Sequence, residues 1–257
     1  MRCLLIAWTV LIEAVRRREV YAIVLVSTLL IGALATTRFF DLQGVSKFYR
    51  EVALQIMTIA TNLTVIIVAA RQLPREFESR TIYPLLAKPV SRFTFMLGKL
   101  LGVMGAGVFC FLLFMLVFLG GCWSLDVFVS PALFAQFLYL QVMGLLIVAT
   151  LSFALSLLTN LDAAITMGAL FYMLSSIFLG ALTYLYQFSD EAVKVVLKVM
   201  VFVVPQLSLF DLSEKVVHQE TWPPVPAHVV VELTAYSLVF SGIFFGIALM
   251  LFRRRAL

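Results

Sequence analysis

At 257 residues, 63% of them hydrophobic and 13% charged, with a mean hydropathy of +1.06, the chain is too apolar for a water-soluble fold, because soluble domains run near half apolar and a quarter charged. Spans of about 20 residues use up most of this length, so a single all-α polytopic membrane domain over residues 1–257 is the natural reading. The net charge of +5 comes from basic residues clustered beside apolar segments, where they act as topology signals and argue against a nucleic-acid partner.

In chain order, residues 2–18 form an apolar segment that ends in Arg16, Arg17 and Arg18, too short to cross a bilayer and suited to lie along its surface. The run before these arginines is interrupted by Glu13 and does not read as a cleavable signal peptide. A first span is expected over 20–37, then a polar connection over 38–50, and a second span over 52–70. The stretch 71–92 is polar, with Pro74 placed to start a short helix and Pro84 and Pro89 to limit it. Spans three to six are expected over 93–121, 132–158, 163–187 and 229–252, the fourth and fifth joined by a very short turn at Asn160. Between the last two lies an insert, residues 188–228, with an amphipathic helix expected over 190–204 and a loop signal at Thr221–His228.

Counting basic residues on alternate sides gives thirteen on the face that holds both termini and the 71–92 loop, against Arg38, Lys47, Arg50, Lys194, Lys198 and Lys215 on the other. The positive-inside rule then places both termini and that loop in the cytoplasm, which requires an even number of spans and agrees with six.

No Asp, Glu, Lys, Arg or His falls near the middle of any expected span, which disfavours proton-coupled transport, because such carriers keep ionisable groups there. No catalytic or metal-binding motif is present: His218 and His228 read as loop side chains, and Cys3, Cys110 and Cys122 lack ligand spacing and read as unpaired. There is no Gly-rich phosphate loop either, since Gly98-Lys99 is followed by Leu100, so an ATP-driven process needs its nucleotide site on another subunit. Gly98, Gly102 and Gly105 recur at helical spacing and allow close helix approach, read here as packing within one subunit rather than a dimer seam. Gln55, Thr58 and Asn62, with Thr61 and Thr64 beside them, make a polar stripe that must face protein or water, either as a translocation path or as interhelical hydrogen bonding. Asn62-Leu63-Thr64 matches a glycosylation acceptor, but inside a span this is a chance match. In the 71–92 loop, Glu76, Glu78 and Arg80 beside Phe77, Ile82, Tyr83 and Leu85 mix charge and apolar surface as a helix docking into a partner's groove would.

The run Glu76-Phe77-Glu78-Ser79-Arg80-Thr81-Ile82, followed by Leu85-Leu86-Ala87-Lys88-Pro89-Val90-Ser91-Arg92 and Gly98-Lys99, resembles the loop pattern of ABC-2 type transporter permeases, in particular a NosY-like branch. Arg80 stands where that pattern commonly has glycine. The resemblance implies a six-span type V exporter architecture with an interfacial first helix and an external helical insert. It also implies a cytoplasmic coupling helix in which Glu76, Glu78 and Thr81 contact a cytosolic ATP-binding subunit; Phe77, as an apolar anchor, and Arg80 are expected to share that contact from their place on the same helix. The implied assembly pairs two ATPase copies, which bind ATP and Mg2+, with a second copy of this chain or a related permease, in a bacterial inner membrane. A membrane anchor that recruits an ATPase without moving substrate would present the same loop.

Overall fold

In the computed structural model the described residues are 2–36, 42–78, 91–126, 128–191, 193–194, 196–197 and 204–254, with side chains described for most of them. All regular structure among them is helical. The helices are α1 (Arg2–Val15), α2 (Arg18–Thr36), α3 (Leu42–Glu78), α4 (Arg92–Ser124), α5 (Pro131–Leu158), α6 (Leu161–Phe188), α7 (Ser213–Val217) and α8 (Ala227–Arg254), with a 3-10 turn at Leu207–Phe210. By length and composition four segments can cross a membrane: Lys47–Pro74, Arg92–Ser124, Pro131–Leu158 and Ala227–Arg254. Helices are the only open structure that satisfies every backbone N–H and C=O in lipid, which is why an apolar chain folds this way.

Local signals set several boundaries. The Ser91 hydroxyl accepts from the Thr94 amide at 3.1 Å and caps α4. Pro131 opens α5 at a position where its missing N–H costs nothing. Only Thr159 and Asn160 separate α5 from α6, so the two run antiparallel as neighbours.

α3, α4 and α5 form the centre of the bundle; α1 lies along α4, α8 along α5, α2 against α3 and α4, and α6 against α3 and α5. The glycine stripe explains the first pairing. A β-carbon at Gly102 would lie 2.5 Å from Val10 Cβ and 2.7 Å from the Ala7 carbonyl oxygen, and one at Gly98 would lie 2.9 Å from Ile6 Cβ. The stripe therefore seats α1 within the same chain. Phe111, Phe114 and Phe118 of α4 and Phe137 of α5 fill the interior, while the outer faces carry exposed Trp8, Leu29, Leu116, Leu174, Leu238 and Met250, an apolar exterior that suits lipid.

Two sequence expectations change. The segment 38–50 is not a connection throughout: α3 begins at Leu42. Tertiary anchors hold its polar residues in the helix, since Tyr49 donates to the Phe118 carbonyl at 3.1 Å and Arg50 Nη1 to the Phe128 carbonyl at 3.3 Å. Pro74 does not start a helix but lies inside α3, which continues to Glu78. Proline removes one intrahelical bond, yet that turn is fastened by Arg71 Nη1 to Glu19 Oε1 at 2.8 Å and by Lys99 Nζ to Gln72 Oε1 at 3.1 Å. Nearby, Arg92 Nη1 donates to the Arg253 carbonyl at 3.1 Å, so Arg71 and Arg92, the flanks of the expected loop, each gain a partner from another helix. In the insert, residues 191, 193, 194, 196 and 197 are helical, and Val204 is not.

Candidate functional site: a polar cavity beside α3

Gln55, Thr58 and Asn62 share one face of α3 at i, i+3 and i+7, and they line a cavity of about 490 Å3 together with Glu51, one turn earlier. Gln141 and Gly144 of α5 and Tyr172 of α6 face them. The insert closes another side with Phe210, Asp211, Glu214 and His218 among its lining residues. Gly144 permits that closure, because a β-carbon there would lie 3.2 Å from Phe210 Cβ.

The polar groups divide into satisfied and unsatisfied ones. Asn62 Nδ2 donates to the Thr58 carbonyl at 2.8 Å, and Tyr172 stands beside the Asn62 side chain. The hydroxyls of Thr58, on a residue only 2% exposed, and of Ser208 are buried without a hydrogen-bond partner among the described residues, although both residues line the cavity. Thr61 behaves differently: its hydroxyl donates to the Met57 carbonyl at 2.7 Å and it is not among the lining residues. Gln55, Thr58 and Asn62 thus meet at the cavity, whereas Thr61 and Thr64, whose hydroxyl donates to the Ala60 carbonyl at 2.8 Å, bond back to their own helix as threonines in apolar helices do.

Side-chain-to-backbone bonds hold the insert in place. Gln136 of α5 forms a reciprocal pair with Val225, Nε2 to the carbonyl at 2.9 Å and Oε1 from the amide at 2.8 Å. Ser175 Oγ of α6 donates to the Pro205 carbonyl at 3.0 Å and accepts from the Leu207 amide at 2.9 Å. The Gln206 amide donates to the Tyr236 hydroxyl of α8 at 3.0 Å, and Gln219 Nε2 donates to the Phe128 carbonyl at 2.6 Å.

Charge around the cavity has one sign. Among the described lining residues are the carboxylates of Glu51, Asp211 and Glu214, with His218 and no lysine or arginine. Asp211 accepts from the Ser213 amide at 2.9 Å and so helps start α7, while Glu51 and Glu214 are exposed at the rim. No group of three or more His, Cys, Asp and Glu side chains among the described residues is arranged to hold a metal ion. Cys3, Cys110 and Cys122 are free thiols.

Sequence reasoning expected the insert to cap or gate a pathway but named none of its residues, and it missed Glu51, Gln141 and Tyr172. Glu51 lies four residues before Gln55 and extends the stripe by one turn, and Gln141 is an isolated amide within the apolar run of α5, so both carried a signal. Of the docking residues expected in the loop, Glu76, Phe77 and Glu78 lie on the last turn of α3 with side chains outside the described residues, and Arg80 and Thr81 lie outside the described residues.

Residues 32–252, well over half of the chain, match the model of the ABC-2 family transporter protein. The chain belongs to this family of membrane permease subunits of ABC transporters, whose members normally work with a cytosolic ATPase subunit. No curated protein sequence matches it.

Proposed function

We propose that this chain is the permease of an ABC exporter with NosY-like, type V architecture, in which ATP hydrolysis on a separate cytosolic subunit drives substrate through a path that includes the cavity beside α3. The observation that carries the reading is the cavity itself: an amide- and hydroxyl-lined space of about 490 Å3 between α3, α5, α6 and the insert, in a chain whose outer surface is apolar. That volume lies within the range of small-molecule sites. α2 and α6 supply the first and fifth of six spans, and α1, seated on the α4 glycines, lies along the cytoplasmic surface. The thirteen-to-six distribution of basic residues supports a bacterial inner-membrane orientation with both termini inside.

In mechanism, two ATPase subunits bind ATP and Mg2+ and close, pressing on the segment from Glu76 through Thr81. As Glu76–Glu78 continue α3 without a break, displacement there is transmitted along the helix that carries Gln55, Thr58 and Asn62. Exposed apolar faces on α2 and α8, such as Leu25, Leu29, Leu238 and Ile243, suit lipid and a second copy or a related permease. Rocking of the helices beneath the bonded insert alternately opens the cavity to each side.

Accessibility of Thr58 across the ATPase cycle tests this reading. With Cys3, Cys110 and Cys122 replaced by serine or alanine and Thr58→Cys introduced, labelling by an impermeant thiol reagent in proteoliposomes with the ATPase should differ between nucleotide-free and vanadate-trapped states. A labelling rate unaffected by nucleotide would favour the non-transporting anchor.

A further inference from the structure

We infer that the cavity beside α3 is a binding site for polar organic cations, specifically amines that also carry hydrogen-bonding groups. This rests on the permease reading for its physiological use, although binding itself does not depend on it. Two independent observations lead there. The first is charge: Glu51, Asp211 and Glu214 are set around one space with no lysine or arginine among the described lining residues. Nearby bases are directed elsewhere, with Arg50 donating to the Phe128 carbonyl and Lys47 paired with Glu220 at 3.9 Å. Carboxylates gathered around a partly enclosed space raise the local concentration of cations.

The second observation is the unmet hydrogen-bonding capacity of the interior. Thr58 is 2% exposed, and its hydroxyl and that of Ser208 are buried without a partner among the described residues, in residues that line the same space. Leaving such groups unpaired is unfavourable, and a ligand with its own donors and acceptors relieves it. Tyr172 and Phe210 add aromatic surface, which attracts ammonium groups.

The chemistry also separates this class from two others. A bare metal ion is disfavoured, because no group of three or more His, Cys, Asp and Glu side chains among the described residues can hold one. An organic anion would meet three carboxylates. A cavity of about 490 Å3 accommodates an amine of the size of a small drug.

Monodansylcadaverine, a fluorescent primary amine, and its neutral N-acetyl derivative form a pair that differs in charge on one scaffold. The experiment measures dansyl fluorescence on titration into the full chain in nanodiscs of zwitterionic lipid, with empty nanodiscs subtracted. The amine should bind several-fold more tightly than the acetylated probe, and added salt should reduce the difference. Glu51→Gln and Glu214→Gln, rim substitutions that keep side-chain shape, should each weaken amine binding about threefold, as expected for a unit charge about 6 Å away in near-aqueous dielectric, and leave the neutral probe unaffected. Thr58→Val should weaken both probes. Equal binding of the two probes, no saturable binding of either, or amine binding unchanged in the double Gln variant would overturn the cation class. Because no ATPase takes part, those results would leave the permease reading standing, whereas nucleotide-independent labelling at position 58 would overturn that reading and not this one.

Discussion

Replacing Gly102 with alanine should loosen α1 from α4, and the structure sets the size of the effect. The added β-carbon would meet Val10 Cβ at 2.5 Å and the Ala7 carbonyl oxygen at 2.7 Å, about 1 Å inside the separation at which nonbonded atoms attract. One of these neighbours is backbone, so rotamer changes cannot clear it and the helices must part. Overpacking of this kind costs about 1–3 kcal/mol, against a gain of up to about 1 kcal/mol from alanine's better helix propensity. Relative to a Gly→Ala variant that has only the propensity gain, the loss of about 1–3 kcal/mol corresponds to several degrees in thermal midpoint for a chain of this size. Gly107 offers a contrast, because its β-carbon would collide mainly with Val65 Cγ2 at 2.4 Å, which Val65→Ala removes. The assay is the fraction of protein that stays monodisperse after heating in detergent. Gly102→Ala should lower the midpoint, and Val10→Ala should not restore it, whereas Val65→Ala should largely rescue Gly107→Ala. Gly242→Ala, inside α8 with nothing within 4 Å, carries the propensity gain without the clash and serves as the control. A Gly102→Ala midpoint equal to that control would refute the α1–α4 contact.

Three further outcomes are expected. Single cysteines in the 71–92 loop should be shielded from an impermeant reagent in intact cells while cysteines near Gln219 are labelled; the reverse pattern would invert the orientation. Gln55→Ala, Thr58→Val and Asn62→Leu should change transport or substrate-stimulated ATP hydrolysis with assembly preserved, and loss of assembly alone would make the stripe structural. Gln136→Leu, which removes both bonds to Val225, should raise protease cleavage in the insert several-fold, as expected if these bonds contribute about 1 kcal/mol or more in total; unchanged cleavage would mean that other contacts hold the insert.

Much of this fold could be read from hydropathy because lipid leaves a chain few choices: long apolar runs become helices, and proline and basic clusters mark their limits. The glycine stripe was legible for a related reason, since Gly98, Gly102 and Gly105 have no role in an exposed helix face, and they prove to be the seat of α1. Expectation failed where tertiary contact overrode local signals. Lys47, Tyr49 and Arg50 look like loop residues, but Phe118 and Phe128 supply partners that keep the last two in α3. Pro74 looks like a helix start, but the turn around it is held by bonds to α2 and α4. The cavity was half legible, because helix periodicity aligns Gln55, Thr58 and Asn62, whereas no local pattern brings Asp211 and Glu214 to a helix more than a hundred residues away.

The central claim is that this chain couples to a cytosolic ATPase through the segment that continues α3. The chain should be co-expressed with candidate cytosolic ABC ATPase subunits from its own source and purified through a tag on the permease, and ATPase yield and hydrolysis rate should be measured for wild type, Phe77→Ala and Glu78→Lys. An apolar anchor flanked by orienting charges commonly dominates such an interface. The account predicts a stable wild-type complex, with both variants inserting normally in the membrane but retaining much less ATPase or hydrolysing ATP uncoupled from transport. A wild-type chain that retains no ATPase would contradict the account, and a complex unaffected by either variant would remove this segment from the coupling path.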